Sequence, residues 1–117
     1  MSRPLVYIAC PITLGDRESN FRQACISQKL LMRHGLAVIN PALTMKVPGA
    51  WDIPHDAWME NALPQVARVD AVLRLPGESV GADLECAHAR QHGIPVFVDE
   101  ETLMEAFRGT QEQHAGA

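Results

Sequence analysis

Four short apolar runs alternate with stretches in which apolar positions recur every three to four residues. The runs are Leu5–Ala9, Leu36–Ile39, Ala71–Leu75 and Ile94–Val98. Runs this short, apolar at successive positions and bounded by Gly or Pro, predict strands buried on both faces. The first ends at Cys10 and Pro11, followed by a loop from Ile12 to Ser19 containing Gly15. Phe21, Ala24, Cys25, Gln28, Leu31 and Met32 then fall near a 3.6-residue period, and Gly35 supplies a helix stop. From Pro41 to Pro54 no period holds, and Pro48-Gly49 predicts a turn.

Helix resumes around Pro54, a residue tolerated in a first turn, and carries Trp58 and Leu63. Pro64 lacks an N–H and clashes with the preceding turn, so a break is expected near Ala62–Pro64, with a further turn to Arg68. A third helix is expected over Ala82–His92, closed by Gly93, and a last one over Glu101–Arg108. Residues 109–117 form a polar tail expected to fray.

Strands alternating with helices predict an α/β fold: a small doubly wound, flavodoxin-like or Rossmann-like parallel sheet of four or five strands, helices on both faces. Right-handed crossovers favour the strand order 2-1-3-4. The first and third strands are then neighbours where the chain reverses direction, and ligands bind beyond the carboxyl ends of strands at such a point. Tyr7 to Arg17 and Ser79 to Glu85 are expected to face each other across that crevice.

At 117 residues the chain reads as a single domain. A net charge of −4 without a Lys/Arg block argues against nucleic acid as a partner, because phosphate-backbone affinity needs a basic face. No apolar run approaches the roughly 20 residues of a membrane span, and with the first strand following Pro4 at once no signal peptide is expected. Cys10, Cys25 and Cys86 are odd in number and lack metal or redox spacing, which points to a reducing cytoplasm.

The candidate chemistry centres on the segment after the third run. Pro76-Gly77, Ser79 and Gly81 open a helical pattern expected to carry Glu85 in its first turn. Free N–H groups at a helix start suit a phosphate, and an ionised carboxylate beside them can attack a sugar carbon. Each residue also has a plain alternative. Glu85 can complement the helix dipole, as Asp83 would, Ser79 and Gly81 can be turn chemistry, and Tyr7 can be core. His88 and His92 have a spacing that suits a metal, but with no evident third ligand a solvated helix face is the better reading and no metal is expected. Trp51, Asp52, His55, Asp56 and Trp58 gather aromatic and polar groups that pack the loop or cover a base.

Together these residues resemble the nucleoside 2-deoxyribosyltransferase superfamily, which includes nucleotide N-glycoside hydrolases, and within it a short phage-and-bacterial branch. The matching pieces are Val6-Tyr-Ile-Ala-Cys-Pro11, Val38-Ile-Asn-Pro-Ala42, Val69-Asp-Ala-Val-Leu73 and Gly93-Ile-Pro-Val96. The most specific is Ser79-Val-Gly-Ala-Asp-Leu-Glu85. The resemblance implies that Glu85 is the nucleophile, that Tyr7 positions it, and that Ser79 and Gly81 hold a 5′-phosphate or 5′-hydroxyl. Cys10, Pro11, Thr13, Asn40, Trp51 and Asp52 complete the expected substrate contacts. It further implies cleavage of the N-glycosidic bond of a nucleoside or nucleotide, no cofactor, and a homo-oligomer. Two positions depart from the family pattern: Cys10 stands where glycine is usual, and Ala62 stands where an aspartate handles the leaving base. The alternative is a non-catalytic nucleotide-binding or sensing module; a third is an accessory protein acting through protein contacts.

Overall fold

The computed structural model describes residues 3–109. Strands β1 (Leu5–Ala9), β2 (Ala37–Ile39), β3 (Ala71–Arg74) and β4 (Val96–Phe97) form a parallel sheet in the order β2-β1-β3-β4, the order expected. Tyr7 sits opposite Ile39 on one side and Val72 on the other. Helices α1 (Arg17–Arg33), α2 (His55–Val66), α3 (Val80–Gln91) and α4 (Glu100–Ala106) alternate with the strands.

The two-residue alternation of strand side chains splits the core into two layers. Val6, Ile8 and Leu73 pack with Ala24 and Leu31 of α1 and Leu103 of α4. Tyr7, Ala9 and Val72 point the other way, onto Ala62 and Val66 of α2 and Ala82, Cys86 and Ala89 of α3. Strand periodicity puts Tyr7 opposite Val6 and Ile8, and packing covers its face with α2 and α3.

Several boundaries differ from expectation, each for a local reason. The first helix begins at Arg17, inside the expected loop, because the Asp16 carboxylate accepts from the N–H groups of Glu18 (3.0 Å) and Ser19 (3.2 Å). Met32 is half exposed, since the buried stripe of α1 runs through Ala24, Ser27 and Leu31. The segment after Asn40 folds as two short 3-10 turns, Pro41–Lys46 and Ala50–Asp52. Between them Gly49 adopts a φ of 80°, a left-handed backbone that favours glycine.

The expected break at Ala62–Pro64 is absent: α2 runs unbroken from His55 to Val66. Pro64 sits in its last turn, where one lost hydrogen bond is outweighed by burial of Ala62 and Val66, four apart on the sheet-facing side. Gln65 Nε2 donates to the Asn61 carbonyl (2.8 Å) and Arg68 Nη1 to the Pro64 carbonyl (2.7 Å), closing the turn.

At α3 the helix starts at Val80, two residues early, because the Ser79 hydroxyl accepts from the Ala82 N–H (3.1 Å). The fourth strand is reduced to Val96–Phe97, flanked by Pro95, which has no N–H to pair, and by exposed Val98. The last helix starts at Glu100 and ends at Ala106, with Asp99 as its cap. Residues 110–117 of the expected tail lie outside the described residues. No described helix is long and apolar enough to cross a membrane.

Candidate active site

The inward stripe of α3 runs Ala82, Glu85, Cys86 and Ala89, the spacing of a single helical face. Glu85 thus occupies a position that packing would give to an apolar residue, and only 8% of it is exposed. The phenol of Tyr7, 1% exposed on the facing strand, donates a short hydrogen bond to Glu85 Oε2. A buried carboxyl is costly without a partner, and Tyr7 is that partner.

This placement corrects the expected electrostatics. Glu85 stands in the second turn of α3, beyond the free N–H groups of the helix start, and is not held ionised by them. Burial pushes its carboxyl up to about 7, while the Tyr7 hydrogen bond and the Arg74 charge act in the opposite direction. Burial, then the charge of Glu85 and the hydrogen bond to it, raise the Tyr7 phenol far above its ordinary range. Tyr7 is therefore a permanent donor. The Cys10 thiol is pushed up to about 12, chiefly by burial and then by Glu85.

The pair borders a cavity of about 490 Å³. One wall is the chain leaving β1 and β2, with Cys10, Thr13, Ile39 and Asn40. Another is the start of α3 from Ser79 to Ala82, and the third is α2, with His55, Trp58, Met59, Asn61, Ala62 and Gln65. Of the sequence candidates, Tyr7, Cys10, Thr13, Asn40, His55, Trp58, Ser79, Gly81 and Glu85 come together here. Asn40 is itself committed to structure: its oxygen accepts from the Ala42 N–H (3.1 Å) and its amide donates to Gln28 Oε1 (3.0 Å).

Pro11, Trp51 and Asp52 are not in this lining. The Pro11 ring packs on Gly77, its Cγ 2.8 Å from where a Cβ there would sit, so only glycine fits that approach. Trp51 turns toward the start of α1, where the Arg17 guanidinium lies 4.1 Å from its ring centroid. Pro11 and Trp51 border a separate 170 Å³ hollow, and Asp52 is exposed at the end of its 3-10 turn. The 3-10 turns that replaced the irregular loop account for the redirection of Trp51 and Asp52.

Sequence reasoning left Met59 and Gln65 of the α2 wall unassigned. Its signal was present, since His55, Trp58, Met59 and Ala62 follow helical spacing, but nothing in the chain said which cavity the stripe would face. Of the two residues before Ala62, Glu60 is exposed and Asn61 lines the cavity. Asp70 is a clamp at the opposite end of the sheet, accepting from the Leu5 N–H at 2.7 Å. Arg74 holds the loop before α3 through the carbonyls of Leu75 and Gly77 and through Asp83 (2.9 Å), outside the cavity lining.

Among the described residues the ionisable side chains lining the cavity are Tyr7, Cys10, His55 and Glu85, and no Lys or Arg is among them. A larger hollow of about 940 Å³, bordered by His34, Phe97, Glu101 and Arg108, lies away from this pair. The rings of His88 and His92 lie tilted against each other, 4.4 Å between centroids. No group of three His, Cys, Asp or Glu among the described residues is placed to hold a metal. Residues 4–98 match the family model described as Domain of unknown function (DUF4406). No curated protein matches the chain significantly.

Proposed function

This chain belongs to the DUF4406 family, and we propose that it cleaves the N-glycosidic bond of a nucleoside or nucleoside 5′-monophosphate, with Glu85 as nucleophile. The observation that carries the reading is the buried Tyr7–Glu85 hydrogen bond at a cavity large enough for a small ligand. The resemblance to nucleoside 2-deoxyribosyltransferases and N-glycoside hydrolases supports the same roles, and the family match is compatible with it.

In the reaction, a Glu85 oxygen bonds to C1′ as the C1′–N bond breaks and its electron pair leaves with the base. Water, or the nitrogen of a second base, then attacks C1′ and frees the carboxylate, losing a proton to solvent. Tyr7 fixes the carboxylate oxygen that does not attack. The N–H groups of Val80 and Gly81 have no acceptor within the helix, and they and the Ser79 hydroxyl are suited to a 5′-substituent. We further propose a cytoplasmic homo-oligomer in which a neighbouring subunit borders the cavity mouth, where Leu14 and Val80 expose apolar surface.

The test is a panel of nucleosides and their 5′-monophosphates, with and without a second base, assayed for free base. Intact-mass measurement of the glycosyl-protein complements it. Release that disappears in Glu85→Gln supports the reading. Binding without release would favour the second reading, a nucleotide-binding module, which Ala62 in the cavity wall favours because it supplies no proton to a departing base.

A further inference from the structure

We propose that the cavity selects N-glycosides whose base already carries a positive charge on the glycosidic nitrogen, pyridinium ribosides being the simplest, over neutral nucleosides. This rests on the N-glycoside reading of Glu85 given above. A neutral nucleoside releases its base as an anion unless a proton reaches it in the transition state, help worth about 10²–10⁴-fold in rate. A pyridinium glycoside needs none, because the electron pair of the breaking C1′–N bond neutralises the ring nitrogen.

The cavity is built for the second case. Beyond His55 at its start, the α2 wall presents Trp58, Met59 and Ala62, with Asn61 and Gln65 as polar groups, and side-chain amides neither give nor take a proton at neutral pH. The Tyr7 proton is committed to Glu85, and the buried Cys10 thiol holds its own up to about 12. His55, the remaining ionisable group of the lining, is exposed at the start of α2, its Cε1 3.5 Å from where a Cβ on Gly81 would sit. That sets it beside the helix start suited to the 5′-substituent, where Met59 Sδ lies equally close.

Charge points the same way. Among the described residues no Lys or Arg lines the cavity; Arg74 acts on Glu85 from outside the lining, and a cation inside would further relieve the cost of that buried charge. Trp58 adds an aromatic surface of the kind that favours cationic rings. Its indole N–H is tied to the Ala50 carbonyl at 3.3 Å.

The experiment compares kcat/KM for base release from 3-carbamoylpyridinium riboside with uridine and adenosine. The 2′-deoxy and 5′-phosphorylated forms of each are included, and Glu85→Gln serves as the control for spontaneous hydrolysis. The expected result is a preference of at least about 100-fold for the pyridinium class, lost in the control. Release from both classes within tenfold would overturn the inference while leaving the N-glycosidase reading standing, and would direct attention to His55 as an acid. No Glu85-dependent release from any compound would overturn both.

Discussion

At Tyr7 and Glu85 the chain accepts an expense in stability that makes sense only at a site. The Glu85 carboxyl rises from 4.5 to about 7 because burial disfavours its charge. A raised acid is bound more tightly by protons in the folded state, so its stabilisation is fully present below about pH 4.5 and is lost as pH rises through about 7. The shift corresponds to something on the order of 3 kcal/mol. Thermal melts should therefore show the wild type losing stability between those values, and Glu85→Gln with a flatter profile and a higher melting temperature near pH 8. The same substitution is expected to abolish base release, since an amide cannot form the glycosyl ester. Nucleophilic attack needs the carboxylate, so kcat/KM should rise with pH through about 7. Removing the donor in Tyr7→Phe leaves the carboxyl less stabilised as an anion, and this limb should move to higher pH. An unmoved limb would leave Tyr7 as packing alone.

Among the elements, α3 carries the most function for its length. Ser79 caps it, the N–H groups of Val80 and Gly81 open toward the cavity, and Glu85 follows one turn after Gly81. Ser79→Ala should cost about 1 kcal/mol of stability through the lost cap, read in a denaturant titration. If the helix start also holds a 5′-phosphate, calorimetry should show monophosphates binding more tightly than the matching nucleosides. Ser79→Ala should narrow that gap by about 1.5–3 kcal/mol, the worth of a hydrogen bond to a charged group. Equal affinities in the wild type would leave Ser79 as a cap. The α2 helix makes the complementary point: Pro64 argues locally for a break, yet burial of Ala62 and Val66 keeps the wall continuous.

For the whole molecule, the cavity of about 490 Å³ at the carboxyl edge of the sheet has exposed apolar groups at its border and beside it. Val80 and Leu84 on α3 and Leu14 after β1 are each roughly half exposed or more. A second subunit covering them would also restrict water around a glycosyl intermediate. Light scattering at micromolar concentration is expected to give at least twice the chain mass, and a monomer mass with and without nucleotide would reject the assembly. Apolar-to-charged substitution at Leu84, which is outside the cavity lining, should dissociate the oligomer without unfolding the chain.

Strand order was legible in the sequence because it follows from short-range rules. The approach of Tyr7 to Glu85 was expected from the facing of the first and third strand ends and from the family resemblance. Buried parallel strands read as apolar runs, right-handed crossovers leave few orders, and two-residue alternation puts Tyr7 on the face that α3 covers. Those rules determined the fold. The rest depended on contacts between segments far apart in the chain. Trp51 and Asp52 left the site because two 3-10 turns re-aimed them, and Glu85 moved to the second turn because Ser79 capped the helix two residues early. Burial against β1 and α2 then raised a carboxyl that the helix start would have kept ionised. Periodicity tells a residue which side it faces; only packing decides what stands there and how dry it is.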